Sequence, residues 1–275
     1  MGYFKVIIPN YNSEKYIKNC IESILNQTFI DFEIVIVDDM STDNSVEIIR
    51  SFDDKRVKLI ENIEKRYNGG SRNVGIDYGE SEYTLFIDDD DVFKSNDCFQ
   101  VLYDKIQETN ADCVSLDYIY DDGNEIYVRL DRNSPESLVH DLNVACWTKA
   151  IKSNLMVHFP ENTLMEDVSQ HIEQCDCLET VVSLNKAFVV WNRKNADSCS
   201  TKPSEKRKSS EWRQLADVYD LQLKHDYCIK EKENRINEYL SLLLSGRHVW
   251  EELSRWKRKF LEKNIIKNRN YLKNL

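Results

Sequence analysis

Along the first hundred residues, short apolar runs alternate with amphipathic stretches. Residues 5–9 (KVIIP) place Val6, Ile7 and Ile8 in succession, which predicts a strand buried on both faces. A helix follows to about Asn26, with Ser13 as its cap and Tyr16, Ile17, Cys20, Ile21, Ile24 and Leu25 along one face. FEIVIV (32–37) predicts a second buried strand, and Thr42 or Asp43 caps a helix through Ser51. Residues 57–60 read as a third strand, 71–78 as a short helix behind Gly69-Gly70, and YTLFI (83–87) as a fourth strand. This βαβα order implies an α/β fold with a mostly parallel sheet and helices on both faces. Polar clusters follow three of these strands: Asn10-Tyr11-Asn12, Asp38-Asp39 and Asp88 to Asp91. In open α/β sheets ligands bind at these carboxyl ends.

Further along, residues 113–130 alternate apolar and polar positions and predict strands around a turn at 121–124. Residues 141–177 read as helix in pieces, broken near Pro160, and AFVVW (187–191) as another strand. From residue 204 onward there is no proline and a single glycine, Gly246, and the pattern is helical. The expected organisation is an α/β body over 1–203, with halves of about 1–95 and 96–203, followed by a helical extension over 204–275.

Charge reinforces that division. The chain of 275 residues has a formal net charge of −11. Residues 204–275 hold 17 basic and 11 acidic side chains, whereas residues 1–203 hold 20 and 37. An acidic body argues against nucleic acid as a partner. No apolar run is long enough to span a bilayer, and the N-terminus has neither a signal-peptide pattern nor a myristoylation pattern. A cytoplasmic location is therefore expected, with the eight scattered cysteines reduced and mostly buried.

The run Asp88-Asp89-Asp90-Asp91 is the sharpest chemical feature. Neighbouring carboxylates repel unless a cation lies between them, and hard divalent ions prefer oxygen ligands; an acidic turn at a helix start is the other reading. Asp39 can accept a hydrogen bond from a base N–H, while Ser41 to Asp43 serve as a helix cap. Gly69-Gly70-Ser71-Arg72-Asn73 sets flexible backbone ahead of a helix bearing Arg72, whose guanidinium can clamp a phosphate. Glu166-Asp167 opens an amphipathic helix, either as a capping pair or as the site of a carboxylate general base. His171 shares a face with Asp167 but has no third ligand nearby in sequence, so a surface or hydrogen-bonded histidine is expected. Arg193-Lys194 and 198–201 lie on a loop, either solvated or folded over phosphates or acceptor.

Taken together, KVIIPNYNSEKYIKNCIESILNQTF (5–29), FEIVIVDDMSTDNS (32–45), NGGSRNVGI (68–76) and YTLFIDDDDVF (83–93) resemble glycosyltransferase family 2, whose catalytic domain has the GT-A fold. ACWTKAIKSNLM (145–156) and the Glu166-Asp167 pair resemble the acceptor half of bacterial members, so the likeness covers roughly residues 4–200. It implies an inverting, metal-dependent transferase that uses a nucleotide sugar, with UDP as the expected carrier. Pro9 and Tyr11 would line the nucleotide pocket, Asp39 would meet the uracil edge, and Arg72 would lie at the base or diphosphate. Asp88 and Asp90 would form the D-x-D element that holds Mn²⁺ or Mg²⁺, with Asp90 in direct metal contact and Asp88 and Asp89 toward ribose and sugar. Asp167 would be the catalytic base. Four consecutive aspartates leave the metal pair ambiguous. Glu252-Leu253-Ser254-Arg255-Trp256 only approaches the Gln-x-x-Arg-Trp motif of processive synthases, which implies the addition of one or a few sugars.

In 254–275, eight basic residues oppose only Glu262, with Trp256, Phe260, Ile265, Ile266, Tyr271 and Leu272 interleaved. Such a helix can lie on an anionic bilayer, consistent with a lipid-linked acceptor and a peripheral position at the inner face of the plasma membrane. It can equally pack on the acidic body or in an oligomer interface. The resemblance implies a glycan or lipid-linked acceptor, with capsular, lipopolysaccharide or other surface glycan as product. Two rival readings are a catalytically inactive nucleotide-sugar-binding scaffold and a nucleotidyltransferase, although the latter's Gly-rich, Lys-bearing N-terminal loop is absent.

Overall fold

A computed structural model describes residues 2–120, 125–126, 145–161 and 166–195. The turn at 121–124, the loop at 198–201, Cys199, Cys228 and the whole of 204–275 lie outside the described residues.

Strands β1 (Phe4–Asn10), β2 (Phe32–Asp38), β3 (Val57–Glu61) and β4 (Tyr83–Phe86) run parallel in the order β3-β2-β1-β4. The second half of the sheet is mixed. It comprises β5 (Val92–Phe93), β6 (Cys113–Tyr120), β7 (Glu125–Ile126), β8 (Lys149–Lys152) and β9 (Val181–Trp191). Strand β8 joins β4 to β6 by antiparallel ladders on both sides, β6 pairs parallel with β9, and β9 pairs antiparallel with β5.

Because β1 lies centrally, its whole length is buried. Pro9 is tolerated there because the ladder to β4 has already ended at Ile7 and Phe86, on the edge toward which its missing N–H would point. Lys5 is also fully buried in β1. Its ammonium donates to the carbonyls of Ile76 (2.7 Å) and Tyr78 (3.0 Å), capping the end of a helix.

Five α-helices accompany the sheet among the described residues: α1 (Ile17–Leu25), α2 (Ser45–Arg50), α3 (Tyr67–Asp77), α4 (Cys98–Thr109) and α5 (Glu166–Asp176). Helix α1 buries Ile17, Cys20, Ile21 and Ile24, the stripe expected from its spacing. Helix α3 packs on β1 and β2, and α4 on β6 and β9. No helix among the described residues is long and apolar enough to cross a membrane.

Several elements differ from their sequence expectation. Ser13 does not cap α1 with its side chain, which turns instead to Asp89; only its carbonyl receives the Tyr16 and Ile17 N–H groups. The N-cap of α2 is Asn44 rather than Thr42 or Asp43, although the Asp43 carboxylate one residue earlier accepts the Ser45 N–H at 3.0 Å. Residues 149–152, expected as helix, form β8, because edges offered by β4 and β6 outweigh local propensity. Helix α3 begins before Gly69-Gly70, so those glycines lie within it rather than ahead of it. Close approach accounts for the glycines at 69 and 75. A Cβ at Gly75 would lie 2.5 Å from Ile7 Cγ2, and one at Gly69 would lie 2.6 Å from the Pro160 carbonyl. The free cysteines at 20, 98, 113, 146 and 175 are buried and Cys177 is exposed.

Gly75→Ala is expected to destabilise the fold by about 1–3 kcal/mol through overpacking against Ile7, read as a lower urea midpoint with an unchanged slope. An unchanged midpoint would contradict this packing.

Candidate active site

Adjacent parallel strands β2, β1 and β4 deliver three polar loops to one end of the sheet. Asn10 and Asp38 are directly paired in the ladder, with the Asn10 amide donating to Asp38 at 2.6 Å. The Asp39 N–H then donates to the Asn10 carbonyl at 2.8 Å. From there contacts lead across the sheet.

Asp39 is only 3% exposed, and donors surround its carboxylate. These are the Arg66 N–H (2.7 Å), the Tyr67 N–H (2.8 Å), the Asn62 amide (3.0 Å) and the Lys65 ammonium (3.2 Å). Arg66 is right-handed and Tyr67 left-handed (φ 58°), so their successive N–H groups form an anion-binding nest. Burial pushes the Asp39 pKa up, but these donors outweigh it and hold the carboxyl below its usual range. Tyr11 lies at the mouth, 47% exposed, with the Lys65 ammonium over its ring. Asn12 and Met40, in the loops after β1 and β2, are also left-handed (φ 54° and 65°), and such non-glycine strain is found where loop shape is over-determined.

The aspartate loop splits its four carboxylates among different tasks. Asp89 accepts from the Tyr11 N–H (3.0 Å) and from the Ser13 hydroxyl, tying the loop after β1 to the loop after β4. Asp91 is fully buried, accepts from the Asn192 N–H at 2.8 Å, and has one oxygen with no partner. Asp90 accepts from the Asn195 amide at 2.6 Å, so the segment after β9 closes over the loop. Asp88 accepts from Arg72 Nη2 at 2.7 Å. Burial, with repulsion from Asp90, pushes Asp89 up to about 7; burial, with repulsion from Asp88, pushes Asp90 up to about 6.

Arg72 is 3% exposed and engaged at both ends. Its Nη1 donates to the buried Glu166, and its guanidinium lies 5.3 Å from the Phe159 ring centre. Asp167 follows at the start of α5, partly buried. Burial raises its pKa against the pull of Arg72, with Asp88 adding to the rise. A carboxylate so tuned is a better proton acceptor than a solvated one. Lys149 lies close enough to lower the Asp167 pKa in part; it is itself buried, with its ammonium donating to the Ala145 carbonyl at 3.0 Å.

These contacts bring Tyr11, Asp39, Asp88, Asp89, Asp90, Arg72 and the Glu166-Asp167 pair to one end of the sheet; Pro9 is buried in β1 just below. Of the surface or hydrogen-bonded histidine expected at 171, the structure shows a buried ring beside the Cys175 Sγ. Arg193 lies over the Trp191 ring, 5.5 Å from its centre. Sequence reasoning did not single out Asn62, Lys65, Ser13 as an aspartate partner, Asn195, or the Tyr118–Trp147–Trp191 ring cluster of the second half. Only Trp147 and Trp191 carried a signal, as large aromatics inside otherwise polar-flanked runs.

The donor set suits a hard divalent cation. Burial first, and repulsion between neighbours second, disfavour the charged forms of Asp89 and Asp90, and a bound cation would offset both. Among the described residues no three ligating side chains converge. Mg²⁺ commonly takes one or two carboxylates and completes its shell with phosphate and water; Asp88 is bound by Arg72 and Asp90 by Asn195, each through one carboxylate oxygen.

Comparison with known proteins fits this geometry. The family model described as "Glycosyl transferase family 2" matches residues 5–172. The chain belongs to glycosyltransferase family 2. Among curated relatives, "Glycosyltransferase GlyG" of Streptococcus pneumoniae is 42% identical over 124 residues, covering 43% of this chain and 41% of GlyG. The chain thus spans less than half the length of that relative. Among solved structures, residues 1–349 of Staphylococcus aureus TarS in complex with UDP-GlcNAc align with a TM-score of 0.70 at 23% identity. That alignment covers 86% of this chain and 71% of TarS 1–349. The mannosyltransferase PcManGT of Pyrobaculum calidifontis, in complex with GDP-Man and Mn²⁺, aligns at 0.56 and 15% identity, covering 95% and 83%. These likenesses establish the GT-A fold.

The raised Asp89 and Asp90 pKa values have a sign that can be tested. Without a cation, their contribution to stability is complete below about pH 4 and is lost as the pH rises through about 6 to 7. In urea unfolding with EDTA, Asp89→Asn is expected to gain stability relative to the wild type as pH rises across that window. A difference independent of pH would contradict the assignment.

Proposed function

We propose that this cleft transfers a sugar from a nucleotide sugar, with UDP as carrier, to a hydroxyl of a glycan or lipid-linked acceptor, inverting the anomeric centre. Capsular, lipopolysaccharide or another surface glycan is the product class. The observation that carries this reading is the unbroken run of contacts from Asp39 through Asn10, Tyr11, Asp89 and the aspartate loop to Arg72, Glu166 and the neighbouring Asp167. It joins a base-recognition pocket, a cation-binding loop and a proton acceptor within one end of the sheet.

Each residue then has a physical role. Pro9 and Tyr11 line the nucleoside pocket, with the Tyr11 ring as its exposed wall. Asp39, held by its nest in one orientation, accepts from the base N–H. Lys65 is one-third exposed and is the partner a base edge displaces. Asp88 and Asp90 would hold Mn²⁺ or Mg²⁺, which when bound would supply positive charge for the departing nucleoside diphosphate. Asp89 fixes the wall of the donor pocket through Ser13 and the Tyr11 N–H. Arg72 adds its charge to the diphosphate region from behind Asp88. Asp167 takes the acceptor hydroxyl's proton as that oxygen attacks the anomeric carbon from the face opposite the leaving group. Holding donor and acceptor in line supplies much of the rate enhancement.

The test is calorimetric titration of UDP-GlcNAc, UDP-glucose and GDP-mannose with Mn²⁺ and then with EDTA, followed by transfer assays. One donor is expected to bind in a metal-dependent manner; binding without turnover would favour the inactive scaffold. Asp167→Asn is expected to keep donor affinity within about twofold while transfer falls at least about 100-fold, and normal transfer would refute the base assignment. Asp90→Ala is expected to abolish the Mn²⁺ dependence of donor binding. Identical affinities with Mn²⁺ and EDTA in both proteins would count against its role.

A further inference from the structure

We propose that helix α3 sets the position of the catalytic base relative to the aspartate loop, with Gly69, Arg72 and Asn73 as its positioning residues. The proposal rests on the reading of Asp167 as the base and adds to it the element that places that carboxylate.

Residues 69, 72 and 73 are spaced so that they share one face of a helix. Each reaches the segment that leads into α5, by a different kind of contact. Gly69 provides close approach: a Cβ there would lie 2.6 Å from the Pro160 carbonyl and 3.0 Å from Glu166 Cγ, so the α3 backbone lies directly against this segment. Asn73 provides register. Its amide donates to the Phe159 carbonyl at 2.9 Å and its oxygen accepts the Phe159 N–H at 2.7 Å, so one side chain satisfies both groups of one residue. Arg72 provides charge, binding Glu166 through Nη1 and Asp88 through Nη2.

All three are hidden from the cleft. Arg72 is 3% exposed, Asn73 7% and Glu166 5%, and Gly69 is buried. A donor or acceptor in the cleft therefore does not need Gly69 or Asn73 for contact. Their contacts instead hold Phe159, Pro160 and the α5 start against a helix that is itself packed on β1 and β2. Arg72 closes the linkage, since the same guanidinium binds the carboxylate beside the base and the carboxylate at the cation site. Of the glycine pair expected as flexible backbone before a helix, Gly69 thus gains a use: it lets α3 lie close enough for this grip, whereas a Cβ at Gly70 would meet Arg66. Misplacing a reacting group by about an ångström can cost about 100-fold in rate, so a device of this kind acts on kcat rather than on donor affinity.

The test is Gly69→Ala in the full chain, with Asn73→Ala as a second variant should the first not fold. UDP affinity is measured calorimetrically with Mn²⁺, transfer from UDP-GlcNAc is measured kinetically, and amide hydrogen exchange is followed over 166–176. Expected are a cooperative melt, UDP affinity within twofold of wild type, kcat at least tenfold lower with the donor KM little changed, and faster exchange over 166–176. Wild-type kcat and unchanged exchange in a folded variant would overturn the proposal, as would equal losses in UDP affinity and kcat. Asp167→Asn measured in parallel separates the two readings. If it transfers normally, the base assignment fails; if it is inactive while Gly69→Ala and Asn73→Ala behave as wild type, only the positioning role of α3 fails. The exchange measurement needs no turnover and so decides the placement of α5 independently of the substrate.

Discussion

The arrangement depends on one buried cation. Arg72 lies between Asp88 of the aspartate loop and Glu166 at the start of the base helix, with almost no exposure to water. Without it, two carboxylates would face each other in a poorly solvated space, with Asp167 beside them. Removing one member of a buried, paired set commonly costs about 3–5 kcal/mol, because a charge is left uncompensated. The guanidinium therefore does more than attract. It lets the two halves of the molecule, the parallel β3-β2-β1-β4 half and the mixed half, meet with acidic edges in contact.

The same logic recurs on a smaller scale around the rim. Asp39 tolerates burial because a nest of backbone N–H groups neutralises it. Asp89 is held by Ser13 and a Tyr11 N–H, and Asp90 by Asn195. Each acidic group is held in place by donors from a different loop, and hydrogen bonds link the loops after β2, β1, β4 and β9 in series. Within the run, Asp88 is paired with Arg72, while burial and mutual repulsion raise the pKa values of Asp89, Asp90 and Asp91; the proposed divalent cation would relieve that repulsion.

How much of this could be read from the sequence depends on where the information lay. Strands β1, β2 and β4 were legible because consecutive β-branched and aromatic residues mark buried strands, and the half-buried β3 because its apolar residues stand between polar segments. Strand β8 was not, since KAIK carries two lysines, and the partner that satisfies the Lys152 charge, Asp112, lies 40 residues away. Gly69 misled for a related reason: glycine signals flexibility locally, and only the nearby Pro160 and Glu166 show that it permits contact. The acidic residues of the site were visible because polar clusters at strand ends are a local pattern. Their partners Asn62, Asn195 and Ser13 were not, because each bond spans from 23 to 105 residues. Arg72 was singled out, but its two carboxylate partners became evident only in the fold.

The account's central claim is inverting transfer from a nucleotide sugar in this cleft, and the anomer of the released sugar tests it most directly. The wild-type protein would be incubated with Mn²⁺ and α-linked UDP-GlcNAc, with water as acceptor, and followed by proton NMR before mutarotation equilibrates the product. The account predicts that GlcNAc appears first as the β anomer. First appearance of the α anomer would contradict it, because a single in-line displacement with Asp167 as base cannot retain configuration.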